Sequence, residues 1–484
     1  MSMSSALSNA LSGLTASARA ADIVSSNISN ALTDGYGRRE LNLSSRVLGG
    51  EGSGVHIDGT SRIVDQVVIA DRRLADAALG ESTTRAGFLS RIEDVIGQPG
   101  TAGSLSDRMA GLDAAFIEAA SRPDSEPRLQ NTLRSAQGVA DHINKISREI
   151  QTQRTQADQQ IAQQVEYLNN TLQNIEQLNY AILNQSSSGR DASALMDQRQ
   201  QLVDQIASIV PMRSVPRDRG QIALISTGGA ILLDGRPAKI GFASVGLITE
   251  DMTFAAGSLS GLTLNENPVS TGGNGIMSGG SLTALFAVRD DLAIAAQANL
   301  DAVARDLVTR FQDPAVDPTL TATDAGLFTD AGAFFDPANE AGLSTRLSIN
   351  AWVDPVTGGA IWRLRDGIGA AVQGDVGNAS LLQSMSLALN QAQIPVSGGL
   401  TTAARSASGL ASEYLSMIST TRQSAEAEIA FASTKVETLK TQELQGGVDS
   451  DYEMQQLLLV EQSYASNARV MQTIDELIQT LLRI

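Results

Sequence analysis

Serine, aspartate, glutamate and arginine are plentiful in this chain of 484 residues, but imidazole is confined to His56 and His142, and thiol is absent. Without cysteine there is no disulfide, Cys-ligated zinc, iron-sulfur cluster or thiol catalysis. A serine triad would have to borrow one of the two histidines, and no serine stands in a nucleophile-elbow context. Two histidines so far apart in sequence make no metal site of their own and read as surface or capped residues. The carboxylate pairs Glu93-Asp94 and Asp290-Asp291 fall on predicted helix surfaces, where solvated charge is the plain reading. Gly272-Gly273-Asn274-Gly275 and Gly279-Gly280 lack the Lys-Ser/Thr that follows a phosphate-cradling loop, so they read as turns. No catalytic, cofactor or metal site is expected.

Charge points the same way. The 53 acidic and 35 basic residues leave a formal charge of −18, with no Lys/Arg cluster to gather phosphates. Nucleic acid is therefore not an expected partner, and negative charge serves solubility. Residues 1–30 have no basic start followed by a continuous apolar run, so no cleaved signal peptide is expected. No stretch approaches the ~20 uninterrupted apolar residues of a membrane span, and no membrane insertion is expected. What the sequence carries instead is pattern.

The strongest pattern lies at the two ends. Leu7, Leu11, Leu14, Ala18, Ala21, Ser25, Ile28 and Leu32 recur at alternating four-and-three spacing with one polar member. Leu457, Val460, Tyr464, Asn467, Met471, Ile474, Ile478 and Leu481 recur at three-and-four spacing, Asn467 being the polar one. Both are coiled-coil seams. Termini ordinarily fray and carry polar residues, so apolar heptads running to both ends predict that the ends pair with each other or with neighbouring subunits. An isolated helix of this length is marginal, so the ends are expected to be weakly ordered in the monomer and to order on docking.

Between the ends, Glu126 to Asn184 is a Pro-free run after Pro127, with Ile143, Ile146, Ile150, Ile161, Val165, Leu168, Leu172, Ile175 and Ile182 at helical spacing. It predicts a very long helix, crossing solvent or interrupted at the polar stretch Gln151–Gln160. Ala192 to Ile209 predicts another helix, stopped by Pro211. Short apolar runs between Gly-rich turns predict strands from Met212 to about Gly280. Helical spacing returns at Leu282–Phe311. The segment 313–374 reads as irregular, with strand-like Ser344–Val353 and Ile361–Leu364, and two last helices are predicted over Ala403–Leu444 and Asp451–Ile484.

The expected fold class is mainly α with a smaller β part, elongated and nested: paired terminal coiled-coil helices, a long-helix bundle and a strand-rich middle. The boundaries read as 1–62 with 447–484 for the terminal domain, and 63–211 with 281–312 and 375–446 for the bundle. Residues 212–280 form the strand-rich part and 313–374 a short outer segment.

Ser25-Ser26-Asn27-Ile28-Ser29-Asn30 followed by Gly35-Tyr36-Gly37-Arg38 resembles the N-terminal signature shared by flagellar rod, hook and hook-associated proteins. Tyr464-Ala465-Ser466-Asn467-Ala468-Arg469-Val470 resembles its C-terminal companion. Leu32-Thr33-Asp34-Gly35 stands where the family commonly has Thr-Pro before Gly-Tyr, Asp-Gly supplying a turn in another way. Within that group, Ala194-Leu195-Met196-Asp197-Gln198-Arg199-Gln200-Gln201-Leu202-Val203 resembles the hook-associated protein 1 family, as do Gly279-Gly280-Ser281-Leu282 and Gly374-Asp375-Val376-Gly377-Asn378. The motif residues are thus Asn27, Asn30, Gly35, Tyr36, Asp197, Gln198, Arg199, Asn467 and Ala468, and the outer β domain reads as reduced.

The resemblance implies a non-enzymatic subunit of the hook-filament junction, exported unfolded through the flagellar type III channel and located outside the cell. Implied partners are copies of itself in a tube, hook protein, the second junction protein or filament, and an export chaperone on the C-terminal helix. Leu7, Leu11, Leu14 and Ile28 are expected to pack with Tyr464, Met471, Ile474, Ile478 and Leu481, within and between subunits. The alternatives are a hook or distal rod subunit, which shares the terminal signatures, and a cytosolic coiled-coil scaffold.

Overall fold

The computed structural model describes residues 3–48 and 51–483; the expected start of the terminal domain at residue 1 and the expected helix end at Ile484 lie outside them. The chain opens with helix α1 (Met3–Ser29), a hairpin of β1 (Arg38–Leu48) and β2 (Glu51–Ile63), and helices α2 (Gln66–Ile96), α3 (Leu105–Ser121), α4 (Glu126–Ser187) and α5 (Ser193–Ala207). Strands β3 (Met212–Pro216), β4 (Ile222–Ser226), β5 (Ile231–Asp234) and β6 (Arg236–Pro237) form one antiparallel sheet. A second consists of β7 (Ile240–Gly241), β8 (Leu262–Leu264) and β9 (Asn267–Val269). Then come α6 (Gly280–Ala287), α7 (Ala293–Phe311), β10 (Phe328–Asp330), α8 (Leu343–Arg346), β11 (Leu347–Ile349), α9 (Arg363–Asp366) and α10 (Ser380–Asn390). The long α11 (Ala407–Gln445) and α12 (Ser450–Leu482) end the chain.

Local chemistry marks these limits. Asp65 accepts hydrogen bonds from the Val67 and Val68 amides at the start of α2, Ser104 from Asp107 at α3, and Asp449 from Asp451 and Tyr452 at α12. Each satisfies amides that have no intrahelical partner. Gly97 closes α2 at φ +81, a conformation that costs a Cβ-bearing residue dearly.

The core runs along α4, about 90 Å long at 1.5 Å per residue. Its isoleucine and leucine stripe, from Ile143 to Ile182, is buried against α3, α5, α6 and α7. The polar stretch Gln151–Gln160 corrects the expectation: α4 neither crosses solvent nor breaks there. Gln151, Arg154, Ala157 and Asp158 continue the buried stripe as a polar layer. Opposite them the helix between α6 and α7 widens into a π turn at Val288–Leu292. That insertion diverts the Arg289 carbonyl, which accepts from Arg154 Nε at 3.0 Å, while the fully buried Arg289 guanidinium donates to Asp158 Oδ1 at 2.6 Å. Arg154 also donates to the Thr249 and Met252 carbonyls, and Asp158 accepts from the Val245 amide, tying the loop beyond β7 to the bundle. Each polar group removed from water is thereby hydrogen-bonded.

Three further expectations need correction. The run Arg38–Ile63 is an antiparallel hairpin, not part of a coiled coil. Leu32 lies beyond the end of α1 in a turn, 91% exposed. Of the strand-like outer runs only Leu347–Ile349 pairs, with β10, and Ile361–Leu364 turns into the short α9.

Candidate assembly surface and its mounting

Helices α1 and α12 lie antiparallel: Ser17 Oγ donates to Ser463 Oγ at 3.3 Å, and one turn earlier Gly13 faces the Asn467 side chain. Small residues make the approach possible. Ala10, Ala16, Ser17, Ile23, Val24 and Asn27 are the buried residues of α1. This is not the stripe expected to pair. Leu7 and Leu11 are 37% and 56% exposed, Ala18 is exposed, and Leu14, Ala21 and Ile28 are half-buried. Gly13 and Ser17 let α12 sit closer than leucines would, so the heptad stripe of α1 is turned outward. On α12, Ile474 is buried; Leu457, Val460, Asn467, Met471 and the neighbouring Ala468 are half-buried; and Tyr464, Ile478 and Leu481 are exposed. Leu458, Leu459, Val470 and Leu477 are exposed as well. The hairpin folds back on α1, where the Val55 amide donates to Ser12 Oγ at 3.1 Å.

At the foot of this pair the N-terminal motif folds on itself. The fully buried Asn27 acts as a mock strand residue: its Nδ2 donates to the Arg39 carbonyl at 2.9 Å and its Oδ1 accepts the Arg39 amide at 3.0 Å and the Tyr36 hydroxyl at 2.9 Å. Asn30 Nδ2 donates back to the Ser26 carbonyl. The Asp-Gly turn closes by a bond from the Tyr36 amide to the Thr33 carbonyl, with Gly35 at φ +76 and no room for a Cβ against Gln201.

The second motif lies directly beneath. Asp197, Gln200, Gln201 and Asp204, at helical spacing, form one polar stripe of α5. Asp197 Oδ1 accepts from the Gly37 amide at 3.0 Å and from Arg62 Nε at 2.6 Å, and its Oδ2 from Arg39 at 3.1 Å. Arg62 extends to Gln200 Oε1 and the Gly35 carbonyl. Gln201 donates to the Asp34 carbonyl. Gln200 also donates to Glu443, near the end of α11, and Asp204 binds Arg72 and Arg73 of α2. Arg199 points the other way, donating to Asn179 Oδ1 and the Gly220 carbonyl, and Gln198 is exposed. Within the terminal part Arg38 of β1 donates to Glu453 of α12, a carboxylate only 1% exposed, at 2.7 Å.

Electrostatics follow from this geometry. Burial would pull the Arg72 guanidinium down, but Asp204 and Glu443 outweigh it and hold it above its ordinary value. Asp76, which shares Arg72, is pushed up by burial and by the nearby Asp204 and Glu443. Arg199 has only neutral acceptors, and burial, with the charges of Arg62 and Arg73, draws it down to about 10, leaving it charged at neutral pH. The arrangement is a mount: it orients a helix pair and has no nucleophile and base in reach of one another.

Sequence reasoning missed Arg62, Gln200, Asp204, Glu443 and Glu453. The stripe Asp197-Gln200-Gln201-Asp204 could have signalled the mount, since polar residues at core spacing within an otherwise apolar helix face require partners. Nothing in the sequence marks Glu443 or Glu453, whose partners are remote.

Three family models match, none overlapping another. Residues 89–314 match the flagellar hook-associated protein FlgK helical domain, residues 7–36 the flagella basal body rod protein, and residues 445–484 the flagellar basal body rod FlgEFG protein C-terminal region. The flagellar hook-associated protein 1 of Salmonella typhimurium is 28% identical over 244 residues, covering 49% of this chain and 44% of the relative. That of Escherichia coli is 27% identical over 244 residues, with the same coverage. That of Bacillus subtilis is 25% identical over 240 residues, covering 47% of each. The chain thus spans less than half the length of these relatives. The flagellar hook junction protein FlgK from Burkholderia pseudomallei is 18% identical with a TM-score of 0.42, over 54% of this chain and 47% of that one, a likeness too loose to bear on the fold. The helical-domain match contains the mounting helix α5 and the long α4, and the rod-type matches contain most of α1 and all of α12, so these parts of the chain are similar to flagellar hook-associated protein 1 and to flagellar rod proteins.

Proposed function

We propose that this chain is a structural, non-catalytic subunit of the flagellar hook-filament junction that polymerises through the outward stripes of its terminal helix pair. One observation carries the reading: Leu7 and Leu11 of α1, and Leu458, Leu459, Leu477 and Leu481 of α12, stay in solvent although the two helices already pack on each other. Large apolar side chains gathered on one slender element mark a surface that a partner covers. In a tubular lattice each subunit meets its neighbours head to tail and needs two different faces. The outer sides of α1 and α12 supply them, with Leu14, Ala18, Ala21, Ile28, Tyr464, Met471 and Ile478 flanking the contact.

On this reading residues 1–62 with 447–484 form the inner tube, and 63–211 with 281–312 and 375–446 form the surrounding bundle. Residues 212–280 and the reduced 313–374 face outward. The partners are further copies, hook protein on one side, and the second junction protein or filament on the other. Before secretion an export chaperone covers the exposed apolar face of α12. The protein acts outside the cell, having left through the flagellar exporter.

Electron microscopy of a deletion strain tests this. Intact hooks with filament protein shed into the medium are expected. Loss of the hooks would mark a hook or distal rod subunit instead, and retention of the wild-type protein inside cells, independent of the exporter, would mark a cytosolic scaffold.

A further inference from the structure

We infer that Asp197 is the positioning residue that fixes the angle at which the terminal helix pair stands on the body, and so decides which axial layer the stalk fits. The second half of this statement rests on the junction reading; the first does not. The stalk is joined to the body by two covalent crossings, Val64-Asp65 between β2 and α2, and Gly446 to Asp449 between α11 and α12. Two glycines in the second crossing let it swivel. Two short links define an axis, and an angle about that axis is fixed only by a third point off it.

Asp197 is that point. Its two oxygens take donors from three separate places on the stalk: the Gly37 amide in the turn, Arg39 of β1 and Arg62 at the end of β2. A short carboxylate with two acceptor oxygens can hold all three. Asparagine would turn an NH2 toward arginine donors, and glutamate would push the stalk out by a methylene. The same stripe of α5 holds the end of α11, just before the swivelling crossing, through Gln200 and Glu443, and the turn through Gln201 and the Asp34 carbonyl. Helix α5 therefore belongs to the body yet reaches the stalk at the turn and at both strands of the hairpin, which is the placement of an orienting element. Charge-assisted bonds suit it because they are directional and short.

The chain has no cysteine, so paired labels can be placed without interference. Cysteines at the exposed Asp22 of α1 and Gln173 of α4 carry spin labels for distance measurement on the purified full chain. A single narrow distribution is expected, shifted or broadened by Asp197→Asn at unchanged helical content. Arg62→Gln is expected to broaden it less, and decides the matter alone if the Asp197→Asn chain does not fold. A distribution already broad in the unsubstituted chain, or one unmoved by the substitution, overturns the inference. In cells the Asp197→Asn protein is expected to be exported but absent from hook tips, and its normal retention there would overturn the assignment of layer choice. If the unsubstituted protein is itself absent from hook tips, the junction reading fails while the distance result stands.

Discussion

Gly13 of α1 sits so close to Asn467 of α12 that a Cβ on the glycine would come within 2.6 Å of the Asn467 Nδ2. The lone polar residue of the C-terminal seam thus meets the one residue of α1 that has no side chain, and this fixes the register of the antiparallel pair. Ser17 and Ser463, one turn along, are held in bonding distance by it.

Gly13→Val tests that register. Replacing glycine would by itself favour the helix by a few tenths of a kcal/mol, but an overfilled contact costs about 1–3 kcal/mol. Hydrogen exchange should show lower protection along α1 and α12 with α4 unchanged. Pairing Gly13→Ala with Asn467→Ala should recover most of the loss caused by Gly13→Ala alone, because the two residues touch. Equal protection in the Gly13→Val chain would mean the helices are not in this register.

The buried pair of Arg289 and Asp158 should be sensitive to loss of one partner. Asp158→Ala removes the acceptors of the buried Arg289 Nη1 and of the Val245 amide, while Arg289 keeps its bidentate pair with Asp290. Urea unfolding of the body is expected to show a loss of about 2–4 kcal/mol from the two unsatisfied donors. A loss below about 1 kcal/mol, within reach of an ordinary surface change, would show the layer to be wet rather than closed.

His142 gives a pH dependence whose sign can be worked out. Burial is the main reason its imidazole titrates below the ordinary value, with Arg108 and Lys145 adding to it and the Ile96 carbonyl, 3.3 Å from Nε2, opposing. As pH falls the unfolded chain therefore takes up the proton first. The contribution to stability is complete above about pH 6.5 and is lost as pH drops from there through the lowered folded value. In His142→Gln the fall in urea midpoint across that window should be smaller than in the unsubstituted chain. An identical fall would place the effect elsewhere.

The helices were legible because their causes are local. Heptad spacing, Asp65, Ser104 and Asp449 as caps, and Pro211 as a stop all act within a turn or two of where they stand. The polar layer at Gln151–Gln160 was visible as an anomaly but not as a contact, since its explanation is a π turn more than a hundred residues away. The Arg38–Ile63 hairpin escaped because its strands alternate weakly and its stability comes from α1, through Ser12 and Asn27. The leucine seam of α1 was legible as a stripe, but not which side α12 would take. That choice depends on Gly13 and Ser17, whose small size counts only once the opposing helix is in place.

The outward stripes themselves are best tested by cross-linking in assembled flagella. With Leu11→Cys and Leu477→Cys in the otherwise cysteine-free chain, a short bismaleimide should link copy to copy and give a ladder of multimers from isolated hook tips, but only uncoupled chains from dilute purified protein. Leu11→Asp with Leu477→Asp should erase the ladder and the assembly while changing the stability of the single chain by no more than about 0.5 kcal/mol. A ladder absent from hook tips, or normal assembly of the doubly charged chain, would contradict docking through these faces.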